Sequence, residues 1–245
     1  MTLDSAIDNT DSALKIAAIG TSTEACSAAL YCNGEVRFRY TVEPRVHAKA
    51  LLPMLDELML EAGIKPLELD AIAFGRGPGA FTGVRIATAA AQAVALAASI
   101  DTVPVSTLAA IARRCYRDHG CEQVAVAIDA RMGEVYWGAY RNLQDEPELV
   151  GEELVCPPES VPVLDGSWTC AGTGWQSYAD SLAHNVACRL PDVESFPHAV
   201  DILALGIDQF VRGNAVSPDD AKPVYLRNNV AKTEAQRLAE KQSAE

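Results

Sequence analysis

A chain of 245 residues and 26.1 kDa, 49% hydrophobic and 22% charged, is large and apolar enough to bury its own core. That excludes a disulfide-stapled mini-protein and a wholly disordered chain. With 33 acidic against 20 basic side chains, a net charge of -13 and a pI near 4.7, it lacks the basic balance of a protein that grips nucleic acid unaided.

The first elements follow a polar leader, residues 1–14, with Asp4, Asp8 and Asp11. A buried strand is expected over 15–20 and its hairpin neighbour over 25–32, and Asn33-Gly34 then makes a second tight turn because both residues tolerate a left-handed backbone. The next strand alternates: Val36, Phe38 and Tyr40 face one way, Glu35, Arg37 and Arg39 the other. Leu51, Leu55, Leu58 and Ala62 recur at helical spacing through 48–62, with Pro53 opening or bending that helix and Gly63 stopping it. A strand over 70–74, an Ala-rich helix over 81–98, a strand over 102–105 and a helix over 107–117 complete the first half.

The order then begins again. Strands are expected over 123–128, 134–141 after the Arg131-Met132-Gly133 turn, 148–155 and 168–171, with helices over 177–183 and 200–211. Two meander-led halves in tandem predict an α/β protein of two ribonuclease-H-like lobes, 15–120 and 121–230, followed by a polar tail, 231–245. The acidic stretch from Asp145 to Glu159 contains no Lys or Arg and reads either as a solvated rim or as a docking site for a basic partner. The seven Cys form no C-x-x-C pair and leave one over, which suits scattered reduced thiols in a cytoplasmic protein. No secretion signal is visible, and the apolar run 86–100 reads as too short and too weakly apolar to span a bilayer.

The strongest local feature is Gly75-Arg-Gly-Pro-Gly-Ala-Phe-Thr-Gly83, between a strand and a helix. Gly77, Gly79 and Gly83 permit tight turning and close approach, and with Thr82 they frame a helix N-terminus that suits a nucleotide phosphate or another anion. Arg85 in the first helical turn opposes the macrodipole, so something negative should answer it: a carboxylate of this chain or a phosphate. The Ala-rich helix is small on all sides and suits either a buried place in one chain or packing against another. Asp129 closes a strand, where a carboxylate holds Mg²⁺ or orients water, or else pairs with Arg131 and caps the turn. The four His (47, 119, 184, 198) show no metal-ligand spacing, and His47 reads as a surface histidine.

Six segments in order resemble the TsaB family, also called YeaZ. They are Ile19-Gly-Thr-Ser-Thr-Glu-Ala-Cys-Ser-Ala-Ala, His47-Ala-Lys-Ala-Leu-Leu-Pro-Met, Gly77-Pro-Gly-Ala-Phe-Thr-Gly-Val-Arg-Ile86, Pro104-Val-Ser-Thr-Leu-Ala-Ala, Asp129-Ala-Arg-Met-Gly-Glu-Val-Tyr-Trp137 and Pro223-Val-Tyr-Leu-Arg227. The resemblance implies the actin/Hsp70-like ATPase fold and a non-catalytic subunit of the machinery that installs N6-threonylcarbamoyladenosine in tRNAs reading codons that begin with A. It implies a heterodimer with the catalytic subunit TsaD, an ATPase partner TsaE, a homodimer when TsaD is missing, ATP and Mg used by the complex, and tRNA held mainly by the partner. The first-lobe helices would dock through Leu51, Met54, Leu55, Met59, Ala87, Ala90, Ala91 and Val94, and Asp129, Arg131, Gly133 and Glu134 form the second-lobe motif. Where TsaD holds a metal with two His, this chain has Thr107 and Ile111; where the fold's phosphate loop begins with Asp, it has Gly20. A stand-alone nucleotide-dependent kinase or ATPase is the rival reading, and a metallopeptidase has no ligand set here.

Overall fold

The computed structural model describes residues 11–43, 45–143, 146–189 and 196–227; the tail and most of the leader lie outside them. Strands β1 (Lys15–Gly20), β2 (Cys26–Cys32) and β3 (Glu35–Thr41) form an antiparallel meander, and helix α1 (His47–Ala62) follows. Then come β4 (Ala71–Gly77), α2 (Phe81–Ala98), β5 (Asp101–Ser106) and α3 (Thr107–His119). The second half repeats the plan with β6 (Gln123–Arg131), β7 (Glu134–Leu143), β8 (Glu146–Cys156), β9 (Leu164–Ala171), α4 (Thr173–Leu182), β10 (Val186–Arg189) and α5 (Ala199–Val211).

Both sheets have one topology: β3-β2-β1-β4-β5 in the first and β8-β7-β6-β9-β10 in the second. In each, the first three strands are antiparallel and the last two run parallel to the first. These are two tandem lobes of ribonuclease-H-like strand order. Local signals placed much of this. Asn33 and Gly34 turn with φ of 55° and 75°, and Gly63 at φ 70° ends α1 while its N–H and that of Ile64 bond back to Leu60 and Met59 carbonyls. Pro53 lies inside α1 rather than opening it, and β10 is an additional strand that the sequence reading did not include.

β2 is buried along its whole length because helices cover both faces of the first sheet. Ala17, Ile19, Leu30 and Phe74 pack under α1 and α2; Ile16, Ala18, Ala73 and Val103 pack under α5. The helix expected to close the second lobe therefore belongs to the first. The reverse holds for α3: Leu108, Ile111, Ala112 and Cys115 pack on Val124, Val126 and Tyr140 of the second sheet. The halves exchange their last helices.

Where α3 meets α5, Asp201 is fully buried and is held by Arg113 at 3.2 Å and by Arg117 through two bonds of 3.0 Å. Burial alone would discourage the Arg117 charge, but the Asp201 carboxylate more than offsets it, so its pKa is raised. Cys170 and Cys188 stand on neighbouring strands with Cα atoms 5.9 Å apart, within reach of a disulfide, and five described cysteines are free. By length and composition alone α2 could cross a membrane, yet its Ala87, Ala91 and Ala95 are fully buried against this chain's own core.

Candidate functional site: the interlobe cleft

The matching hairpins of the two lobes face one another across a cleft of about 610 Å³. Ser22, Thr23, Glu24 and the Gly79-Ala80-Phe81 entry to α2 line one side; Asp129, Arg131, Met132 and Tyr136 line the other, with Thr173, Gln176, Phe196 and Arg227 completing it. Its volume and mixed lining suit a small ligand.

Of the two roles the sequence suggested for the glycine loop, close backbone approach is visible at Gly79 and Gly83. A Cβ on Gly79 would stand 2.2 Å from the Ser22 carbonyl oxygen, and one on Gly83 would stand 1.9 Å from that of Thr21. The Ala80 N–H donates to the Ser22 carbonyl at 2.8 Å and the Thr21 hydroxyl to the Gly83 carbonyl at 2.7 Å. The glycines let two backbones of this chain touch, so this close approach is to protein. Thr82 is exposed beside them.

Arg85 is answered by aromatic rings. Its guanidinium lies 3.9 Å from the Phe81 ring centroid, and its Nε donates to the Tyr225 hydroxyl at 2.8 Å; among the described residues no carboxylate reaches it. Cation–π attraction and a phenol oxygen take the place of the same-chain carboxylate that was one of the two expected partners.

In the second-lobe motif, Asp129 takes the turn-capping role. Its carboxylate accepts from the Arg131 backbone N–H at 2.8 Å and from the guanidinium at 3.0 Å. Arg131, Met132 and Gly133 all have positive φ, 63°, 59° and 76°, so two side chains sit in backbone geometry that favours glycine. Glu134 accepts from Arg227 through two N–H groups, one at 2.9 Å. Nothing local in the sequence pairs residues 134 and 227, which lie 93 positions apart. Arg131 and Arg227 thus each have a carboxylate, while Glu24 is exposed on the first-lobe wall.

Beneath the first-lobe hairpin, in the buried core, a Cβ on Gly20 would meet Ile202 Cδ1 at 2.6 Å, and one on Gly75 would lie 3.5 Å from the same methyl. Hydrocarbon from α5 fills the space a carboxylate at residue 20 would need. Thr107 is buried and donates to the Ser22 hydroxyl at 2.9 Å, and Ile111 is core. No cluster of three or more His, Cys, Asp or Glu suited to a metal occurs among the described residues.

Behind the cleft, Glu153 of β8 is nearly buried. It accepts from the Tyr140 hydroxyl at 2.6 Å and from Ser106, which also caps α3, and Arg76 lies 3.9 Å away. Burial, then the Glu153 charge, push the Tyr140 pKa well above its ordinary value. One member of the acidic stretch thus joins the lobes instead of lying on a solvated rim.

The residues expected to dock differ in how far this chain itself covers them. Leu51, Leu55, Met59, Ala87 and Ala91 are buried in this chain's own core, and Met54, Ala90 and Val94 are partly buried against it. The outer faces instead present Leu52 and Leu60 on α1 and Ala89, Ala93, Leu96 and Ala97 on α2, with Leu60 79% and Leu96 62% exposed. Regular apolar spacing marks the inward stripe; the available signal was leucine lying off that stripe.

Compared with known proteins, residues 41–235 match the family described as "TsaD: tRNA N6-adenosine threonylcarbamoyltransferase". The chain is 43% identical over 226 residues to the tRNA threonylcarbamoyladenosine biosynthesis protein TsaB of Escherichia coli, covering 89% of this chain and 96% of that one. It is 35% identical over 228 residues to the protein of that name in Haemophilus influenzae, with 89% and 95% covered. The solved structure of YeaZ from Pseudomonas aeruginosa superposes with a TM-score of 0.82 at 48% identity, covering 87% of this chain and all of that one.

Proposed function

The chain belongs to the TsaB family of tRNA threonylcarbamoyladenosine biosynthesis proteins, and from that membership we propose that it is the non-catalytic subunit that docks on TsaD and activates it. TsaD transfers the threonylcarbamoyl group and TsaE supplies the ATPase step. The observation that carries the reading lies in the core beneath the first-lobe hairpin, where Ile202 stands in the space beside Gly20 and a threonine–serine hydrogen bond stands where TsaD has a metal ligand. Mg-nucleotide turnover requires a carboxylate or equivalent oxygen ligand to hold the ion beside the phosphates. Cations that could grip phosphates from the cleft wall are already paired with Asp129 and Glu134.

Docking uses the outer faces of α1 and α2, where Leu60 and Leu96 are the most exposed large apolar side chains, and a second copy of the chain uses those faces when TsaD is absent. An acidic subunit fits a complex whose RNA-facing surface belongs to the partner.

The test is reconstituted tRNA modification. Modified adenosine forms with TsaD, TsaE and this chain and is lost when this chain is left out, while the isolated chain shows no ATP turnover with Mg²⁺. Modification independent of the chain overturns the reading; turnover by the isolated chain favours a stand-alone ATPase, for which the cleft volume would be adequate.

A further inference from the structure

After α5, residues 213–227 run back over the first lobe and end at the second. Val216 exchanges two backbone hydrogen bonds of 2.8 Å with Thr102 of β5. Gln92, midway along α2, donates to the carbonyls of Pro218 at 3.2 Å and Ala221 at 3.0 Å. Val224 N–H donates to the Arg76 carbonyl at 2.8 Å, and Arg85, in the first turn of α2, donates to Tyr225. Two residues on, Arg227 reaches the other lobe. Its guanidinium engages Glu134 and also donates to the carbonyls of Ala130 at 3.1 Å and Arg131 at 3.2 Å. One short segment therefore grips α2 twice and then holds the base of the cleft hairpin.

That hairpin needs holding. Successive residues at positive φ are strained, each by roughly 1–3 kcal/mol for a non-glycine side chain, and such geometry persists only where its surroundings enforce it. Asp129 ties the turn from within, while the Arg227 fork ties it from outside by matching one carboxylate and two carbonyls.

We propose that this strap couples docking on α2 to the shape of the cleft, with Arg227 as the positioning residue that sets the 131–133 hairpin. The inference rests on the docking role given above. A partner that fixes α2 fixes Gln92 and Arg85, and through them the backbone leading to Arg227. Coupling of this kind requires that docking and hairpin ordering favour one another reciprocally.

Amide hydrogen exchange of the full chain, free and bound to TsaD, tests it. Docking on the wild-type chain should slow exchange of the 131–134 amides about tenfold, in the range usual for coupled sites. Arg227→Gln should speed hairpin exchange in the free chain and abolish the slowing on docking, and Arg227→Lys, which keeps the charge but not the fork, should recover part of it. Tyr225→Phe leaves the Arg227–Glu134 contact in place, so free-chain exchange stays at the wild-type rate while the response to docking shrinks. A purely structural Arg227 would not yield that split. Should Arg227→Gln fold poorly, Glu134→Gln loosens the same contact from the other side. A wild-type chain that binds TsaD and stimulates modification with no change at the hairpin sinks the coupling alone. A chain that neither binds nor stimulates overturns the docking role and this inference with it.

Discussion

The two lobes repeat one strand order and fill it in opposite ways. The first packs small residues so that layers come close: Ala17, Ala18, Ala28, Ala29 and Ala73 form much of its sheet, and a Cβ on Gly206 of α5 would stand 2.4 Å from that of Ala73. The second gathers all three tryptophans in the core between its sheet and α4: Trp137 and Trp168 come from strands, and Trp175 comes from α4 itself. It also has only a short 3-10 turn, Pro158–Ser160, where the first lobe has α1. A sheet clasped between helices needs little side-chain volume, whereas one with less helical cover fills the gap with large rings. The extra helix also gives the first lobe an outward apolar surface, which is why docking is assigned there.

The largest test strikes what the lobes share. Asp201→Ala removes the buried carboxylate that Arg113 and Arg117 share and should cost about 3–5 kcal/mol. Because α3 and α5 are exchanged, denaturant unfolding should remain a single transition; two separate transitions would show that the lobes are independent. Next, the packing contrast predicts that Gly206→Ala costs about 1–3 kcal/mol by overpacking the first lobe, while Gly133→Ala, with open space around it and φ of 76°, costs only the left-handed penalty of roughly 1–2 kcal/mol. Thermal melts of both variants measure the two costs; close approach itself also occurs in the second lobe, where a Cβ on Gly172 would stand 2.2 Å from the Ala127 carbonyl oxygen.

A smaller effect concerns the joint behind the cleft. Since the Tyr140 pKa is raised in the folded chain, its neutral phenol contributes stability that is fully present below the ordinary tyrosine value near 10. That contribution falls as pH rises from there toward the folded value, with a slope of up to about 1.4 kcal/mol per pH unit. Tyr140→Phe should flatten this part of the stability–pH curve, as followed by urea midpoints between pH 9 and 11. Least disruptive to folding is Leu96→Glu on the outer face of α2, within about 0.5 kcal/mol of wild type yet expected to prevent co-elution with TsaD. Ala91→Glu, aimed into the core, should instead unfold the chain, and equal co-elution of Leu96→Glu and wild type would move the docking surface elsewhere.

How much the residues revealed on their own depended on distance along the chain. The Asn33-Gly34 turn, the Gly63 stop and the β3 alternation are local, so they could be read directly. The destinations of α3 and α5 could not, because an amphipathic helix shows that it has a buried face but not which sheet lies under it. β10 is only four residues long and offers little pattern. At the site, glycine density correctly indicated close approach, but the approaching group was a carbonyl of residues 21 and 22, some sixty positions away. Arg85 signalled a missing partner, and its aromatic answer lies 140 residues downstream at Tyr225.

The exchanged helices also set an order of events during synthesis. Chains generally acquire structure from the N-terminus as they emerge from the ribosome. Here the first sheet keeps one face bare until α5, more than three-quarters of the way along the chain, has been made. The half translated first is thus completed last. Until then its exposed alanine and isoleucine surface needs shielding, and a stop codon anywhere before residue 199 removes part of the N-terminal core along with the C-terminus.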